Sequence, residues 1–484
     1  MCLLVVDILI IVSFFTFLSV AEFLSSAVIR AGIIGPIVVG IIYGVPLADI
    51  LHYDWQETFL YLGYIGLILI IFEGGLTARL DLLRANFVVS LCGAATGVIL
   101  PIAFSYMLLF LGFGYGAVET FIIGAALSAT SLGTTFAVIS GASKTVDLAQ
   151  TRVGAILVSA AVIDDVTGLV MSSVIHDLGS LSGGGGESQP NLGWLIGRPI
   201  LASALMAILT PVLSKYVLAP FFRRFIERRF AKYDHFSNII LMVLVLSAFI
   251  SIAAYAGTSV LFGAFLAGSF LTYLPSKHPE GPFVVMSREQ GEKEKHKSPT
   301  FTHTFELYVL DALQYILGPL FFASIGFAIP FVQLWTGTAI WHGVVYTLLM
   351  LVGKVLVGVW VPIWQFFAPV GGNDEEKTDS TKSSNKSLVS RLKPALEPSL
   401  LLGCAMVARG EIGLLIVQIG YNNTSYVSEA GFLTAIWAIL LNTIIGPIAV
   451  GLLVKKRGQA IGEGAWGLSK SDKPEEQESE NPSD

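Results

Sequence analysis

Apolar residues occur along this chain in long blocks separated by short polar connections. Thirteen blocks are long enough to cross a bilayer as helices. They are Leu9–Ile29, Gly32–Leu47, Phe59–Ala78, Phe87–Leu111, Phe121–Ser140, Val153–Ile175, Trp194–Tyr216, Asn238–Ala254, Gly257–Leu274, Glu306–Phe331, Trp341–Trp364, Ser399–Ile419 and Phe432–Val454. The pattern predicts an all-α polytopic membrane protein embedded in a lipid bilayer. Ala254–Gly257, between the eighth and ninth blocks, is the least marked division. Composition agrees: 54% of the residues are hydrophobic and 13% charged, against roughly 25% charged in soluble chains.

Lys and Arg set the expected orientation. Nearly all of the 29 fall in alternate connections, after spans one, three, five, seven, nine, eleven and thirteen. The other connections carry essentially one, Arg198. An odd span count then puts the N-terminus outside and the C-terminus in the cytoplasm. Two overlapping sequons at Asn422 and Asn423 fall outside under this reading. The first block lacks a basic leader and a clear cleavage site, so it reads as a retained helix. Cys2, Cys92 and Cys404 are isolated, which points to neither a disulfide framework nor a zinc site. No nucleotide fingerprint follows a strand-like run. No cofactor and no nucleic-acid partner are expected. Gly183–Gly186 forms an external linker, Pro275–His303 and Pro369–Pro394 are polar cytoplasmic insertions, and the end of the chain is acidic.

Four polar elements interrupt the apolar blocks. Asp164 and Asp165 lie side by side within span six. A charge at mid-bilayer costs about 2.5–3.5 kcal/mol on insertion scales, so two adjacent acids point to function rather than packing. One buried carboxylate that takes either a proton or a bare cation is the minimal machinery of exchange. Span five carries Ser128-Ala129-Thr130-Ser131-Leu132-Gly133-Thr134-Thr135. Such a run can unwind and free oxygens for a hard cation. Span twelve carries Arg409-Gly410-Glu411. Arg409 needs a counter-charge, and Glu73 of span three and Glu411 are the candidates for a structural ion pair. Lys354 lies well inside span eleven, too deep to snorkel, and its natural partner is a span-six acid.

A weak internal symmetry appears at an offset of seven spans. Glycines mark spans two and nine, GLILIIFEGGL from Gly66 answers GPLFFASIGF from Gly318, and spans five and twelve both carry polar breaks. An odd offset inverts one half relative to the other. Inverted repeats with matching interrupted helices point to a secondary transporter.

The double aspartate in span six, Thr130-Ser131 in span five, Lys354 in span eleven and Arg409-Gly410-Glu411 in span twelve together resemble the monovalent cation:proton antiporter superfamily. The resemblance is to its double-aspartate, sodium/proton exchanger-like branch, with a fungal-type member most similar. It implies a homodimer whose protomer has a dimerisation part (9–78 and 238–331), a core part (87–175 and 341–454) and a linker helix (194–216); the acidic composition of the end adds the expectation of a disordered cytoplasmic tail (455–484). It implies that spans five and twelve cross as discontinuous helices beside the aspartates. It also implies that Asp165 carries the ion or proton, that Asp164 pairs with Lys354, and that exchange of Na⁺, Li⁺ or K⁺ for H⁺ is electrogenic. Thr130 and Ser131 would add coordinating oxygens, and the metal-binding set would be Asp165, Asp164 and Thr130. Plasma membrane and internal compartment are not separated by the sequence.

Three other classes were weighed. An intramembrane protease needs two acids on two helices, and here both sit on one. A cation channel needs rings of like groups, which a Lys facing an Asp opposes. A sodium-coupled organic-anion transporter shares the broken helices.

Overall fold

The computed structural model describes residues 2–29, 31–78, 86–131, 151–182, 192–226, 234–274, 300–367, 388–463 and 466. Several expectations lie outside these residues: the second half of span five from Leu132, the Gly183–Gly186 linker, most of both polar insertions and the acidic end.

Among the described residues the regular elements are all helices. Among them nine helices are long and apolar enough to cross a membrane, and four shorter apolar helices accompany them. The four are Ile34–Tyr43, Ala117–Ala126, Val260–Tyr273 and Ala395–Ala405. They fall in spans two, five, nine and twelve, so the nine long helices and these four account for the thirteen expected blocks. The weak eighth division is real. Span eight ends at Ala256, Gly257 takes φ +78°, and span nine begins at Val260. A side chain would strain that left-handed turn.

Packing follows the inverted repeat. If each span exchanges with the one seven later, the contact of two with ten becomes that of nine with three. Both contacts exist. So do one with two and its mate eight with nine, and four with six and its mate eleven with thirteen. Three on ten and four on eleven are their own images, and both are present. The glycines explain the closeness. A Cβ at Gly40 would sit 2.1 Å from the Ala323 carbonyl oxygen, and one at Gly326 2.3 Å from that of Ile37. The mate crossing repeats this: 2.1 Å from Gly75 to Phe265 O and 2.3 Å from Gly268 to Phe72 O. Small residues bring helix backbones together where lipid supplies no hydrophobic drive.

The helices sort into two groups by contact. Spans one, two, three, eight, nine and ten pack on one another, and so do four, five, six, eleven, twelve and thirteen. The second group holds every polar break.

One boundary needs correction. The tail expected from residue 455 starts later: span thirteen stays helical to Glu463, and Trp466 is buried. Apolar Val454 and Ile461 continue the buried face of the helix past the Lys455-Lys456-Arg457 cluster, which hydropathy alone takes as the end.

Candidate functional site

The site is assembled where two helices stop inside the membrane. In span five the helix ends at Ala126. The Ser128 hydroxyl donates to the Ala125 carbonyl at 2.7 Å, and Ser128 N–H donates to the same oxygen at 3.2 Å. This local back-bonding diverts the chain from the helical ladder. In span twelve the helix ends at Ala405, the chain is irregular from Met406 to Gly410, and a second helix starts at Glu411. The two irregular stretches pair with each other: Ser131 N–H donates to the Ala408 carbonyl at 2.9 Å. Gly410 makes this possible, since a Cβ there would lie 2.6 Å from Ser131 Cβ and Oγ. Gly446 of span thirteen backs the crossing, 2.7 Å from the Ala408 nitrogen by the same measure.

A helix that ends early leaves carbonyls without donors and a partial negative charge at its C-terminus. Two cations meet that end. Lys354 donates to the Ser128 carbonyl, and Arg409 Nη1 donates to the Ala129 carbonyl at 2.9 Å and, more weakly, to that of Ser128 at 3.4 Å. Arg409 is itself fixed at its own carbonyl, which accepts from the Thr443 hydroxyl of span thirteen at 2.9 Å.

Lys354 also holds the first aspartate. Its Nζ lies 2.7 Å from Asp164 Oδ2 and 2.9 Å from Thr130 Oγ1. The Thr130 hydroxyl donates to the same Asp164 oxygen. All three ammonium hydrogens are therefore used, on Ser128 O, Thr130 Oγ1 and Asp164 Oδ2. Asp164, Lys354 and Arg409 are fully buried. Removing two opposite charges from water is repaid only when geometry is good and the remaining hydrogen bonds are made, and here Lys354 has its full set. Gly97 of span four leaves the room: a Cβ there would stand 3.2 Å from Lys354 Nζ.

Asp165 turns elsewhere, as a neighbour about 100° round the helix must. Its Oδ1 is buried and has no hydrogen-bond partner among the described residues, and the same holds for Asp164 Oδ1. Glu411, Asp164 and Lys354 are the charges that bear on Asp165. Glu411 stands at the N-terminus of the second half of span twelve, where the helix end favours negative charge.

One sequence expectation changes. Arg409 does not pair with Glu73 or Glu411. Its donated hydrogen bonds go to the carbonyls of Ser128 and Ala129, while Nε and Nη2 have no hydrogen-bond partner among the described residues. Glu73 lies on span three, which packs on nine and ten in the other helix group. Thr130 meets the Asp164–Lys354 pair: its hydroxyl lies within donating reach of Asp164 Oδ2 and, at 3.4 Å, of the Met406 carbonyl, and accepts from Lys354 Nζ. Ser131 contributes its backbone N–H to the crossing.

Sequence reasoning did not single out the Ala129 carbonyl, Gly97 or Tyr346. Tyr346 is fully buried and its hydroxyl lies 2.6 Å from Ser105 Oγ of span four. The signal for it was present. Gly343, Tyr346, Thr347, Met350, Gly353 and Lys354 are all buried on span eleven, and their spacing of three and four places Tyr346 on the Lys354 face.

The family model described as "Sodium/hydrogen exchanger, transmembrane" matches residues 3–456. The Na(+)/H(+) antiporter of Enterococcus hirae is 26% identical over 431 residues, covering 88% of this chain and 92% of that protein. The Na(+)/H(+)-K(+) antiporter GerN of Bacillus cereus is 24% identical over 423 residues, covering 86% and 88%. The solved sodium proton antiporter MjNhaP1 of Methanocaldococcus jannaschii shares the fold, with a TM-score of 0.54 at 16% identity over 93% of this chain and 97% of that one. The chain belongs to the transmembrane sodium/hydrogen exchanger family, and thereby to the monovalent cation:proton antiporter superfamily, whose members are transporters and not enzymes.

Proposed function

We propose that the chain exchanges Na⁺, Li⁺ or K⁺ for protons by competition at Asp165, and that the exchange is electrogenic. One observation carries this reading. Asp165 Oδ1 is buried without a hydrogen-bond donor among the described residues, one helical step from an Asp164 whose Oδ2 is held by Lys354. A lone pair kept out of water and unpaired is a place for H⁺ or a bare cation, and one carboxylate does not hold both. The named specificity of GerN supports keeping K⁺ among the cargo ions.

Asp164 is the switch in this scheme. Cation at Asp165 draws the second orphan oxygen, Asp164 Oδ1, toward the site. That weakens the hold on Lys354, which releases a proton and adds a second exchanged charge. The group containing spans four to six and eleven to thirteen moves as the core. Spans one to three and eight to ten form the dimerisation part of a homodimer, and span seven links them. The N-terminus is outside and the C-terminus cytoplasmic.

The test is a pH-gradient assay in liposomes. Additions of Na⁺, Li⁺ and K⁺ are expected to collapse an imposed proton gradient, faster when an opposing voltage is clamped to zero. Cation-independent collapse contradicts antiport, and indifference to voltage contradicts electrogenicity.

A further inference from the structure

Trp466 lies beyond span thirteen, three residues after its helix ends. Its side chain is 2% exposed and belongs to one buried apolar cluster with Val153, Ile156 and Leu157 of span six, Val357 and Val361 of span eleven, and Val450 and Val454 of span thirteen. Three directed contacts hold it. The indole N–H donates to Gln365 Oε1 of span eleven at 3.0 Å. Its carbonyl accepts from the Val153 N–H at 3.2 Å, satisfying a donor that the start of span six leaves free. The Arg152 guanidinium lies over the ring, 4.7 Å from its centroid.

These contacts join the two spans that carry the site. Six and eleven run in opposite directions, and span four packs on both. The first link between them is the Asp164–Lys354 pair. The second is Trp466. Along span six, 11 residues separate Val153 from Asp164; along span eleven, 11 separate Lys354 from Gln365. At about 1.5 Å per α-helical residue the span-six arm is about 16 Å long, and the span-eleven arm, which includes the 3-10 turn Leu356–Val359 with a rise of about 2 Å per residue, is about 18 Å long. A frame with arms of similar length and two cross-links passes a change of spacing at one end to the other.

We infer that Trp466 is a positioning residue for exchange: the segment after span thirteen sets the spacing of spans six and eleven, and through it the strength of the Asp164–Lys354 pair. The inference rests on the role proposed for that pair. Release of Trp466 lets the far ends separate and loosens the pair. Asp164 is then freer to repel the charge on Asp165 and to disturb its cation site. Whatever displaces this segment therefore regulates exchange.

Full-length chain with Trp466→Ala or Trp466→Phe, each with and without Lys354→Gln, is reconstituted in liposomes. KM for Na⁺ and for K⁺ is measured across pH, with the thermal midpoint followed in parallel. Trp466→Ala is expected to shift KM by about threefold or more and to move the pH profile, and Trp466→Phe, which keeps the ring under Arg152 but loses the indole N–H that reaches Gln365, to shift it in the same direction by a smaller factor. On the Lys354→Gln background Trp466→Ala is expected to change KM by less than about twofold, because coupled residues are not additive. An unchanged KM and pH profile in Trp466→Ala, or an equal fold-change on both backgrounds, overturns the inference. If Trp466→Ala does not reach the membrane, Trp466→Phe is judged in its place, and an unchanged KM and pH profile, or an equal fold-change on both backgrounds, overturns the inference. An unmodified chain that moves no protons in response to either cation removes the parent reading and this inference with it, whereas exchange in the unmodified chain separates the two.

Discussion

Asp164 and Asp165 are neighbours in sequence with opposite surroundings. Asp164 Oδ2 accepts from Lys354 and Thr130, while Asp165 Oδ1 has no hydrogen-bond donor among the described residues. Removing one partner of a buried pair costs about 3–5 kcal/mol, because the other charge is stranded. Asp164→Asn is therefore expected to lower the thermal midpoint markedly. Asp164→Asn combined with Lys354→Gln should recover part of that loss; a double variant as unstable as the sum of the singles would contradict a direct pair. Lys354→Gln alone is expected to retain some exchange while losing its voltage dependence, measured as cation-driven proton flux with and without a voltage clamp. The two acids, Lys354 and Arg409 were legible because charge inside an apolar block is costly and needs a reason. Arg409's partners were not. They are backbone carbonyls freed where a helix stops, and a sequence shows a carbonyl at every residue.

At the scale of elements, the two breaks are held by the Ser131–Ala408 backbone hydrogen bond, by Arg409 on the Ala129 and Ser128 carbonyls, and by the close approach that Gly410 allows. A Cβ on Gly410 collides with Ser131, so Gly410→Ala pushes spans five and twelve apart at the point where Lys354 and Arg409 meet the freed carbonyls. Exchange is expected to fall by at least about tenfold while the variant still folds, since overpacking costs about 1–3 kcal/mol. Wild-type exchange in Gly410→Ala would argue that the crossing does not set the site. The crossings of two with ten and of three with nine are a separate matter. Gly40→Ala or Gly75→Ala should lower thermal stability, measured as unfolding temperature in detergent. Span number and the weak break at Gly257 were readable from apolar block length and glycine. Helix ends were not. Span thirteen runs past three cationic residues because its buried face continues, and hydropathy reads charge before it reads packing.

The whole molecule is two copies of one arrangement in opposite senses. Exchange of each span with the one seven later reproduces the contacts seen, and it pairs span five, whose helix stops at Ala126, with the interrupted span twelve, so that the two irregular stretches meet. The acids, however, sit in span six, and nothing equivalent occupies its mate, span thirteen, where Asn442 and Thr443 stand. The fold supplies a symmetric crossing, and a few residues in one half make it a site. That division explains why the architecture could be inferred from repeats and apolar blocks, whereas which oxygen serves which charge required coordinates. The central claim concerns Asp165 alone. The direct measurement is KM for Na⁺ and K⁺ in reconstituted liposomes across pH, for the unmodified chain and Asp165→Asn. Competition at one carboxylate requires KM to rise as pH falls, approaching tenfold per pH unit at the acid limit, with the maximal rate at saturating cation little changed, and requires Asp165→Asn to show no cation-driven proton movement. A KM that is flat across pH, or an Asp165→Asn variant that still moves protons when cation is added, would contradict it.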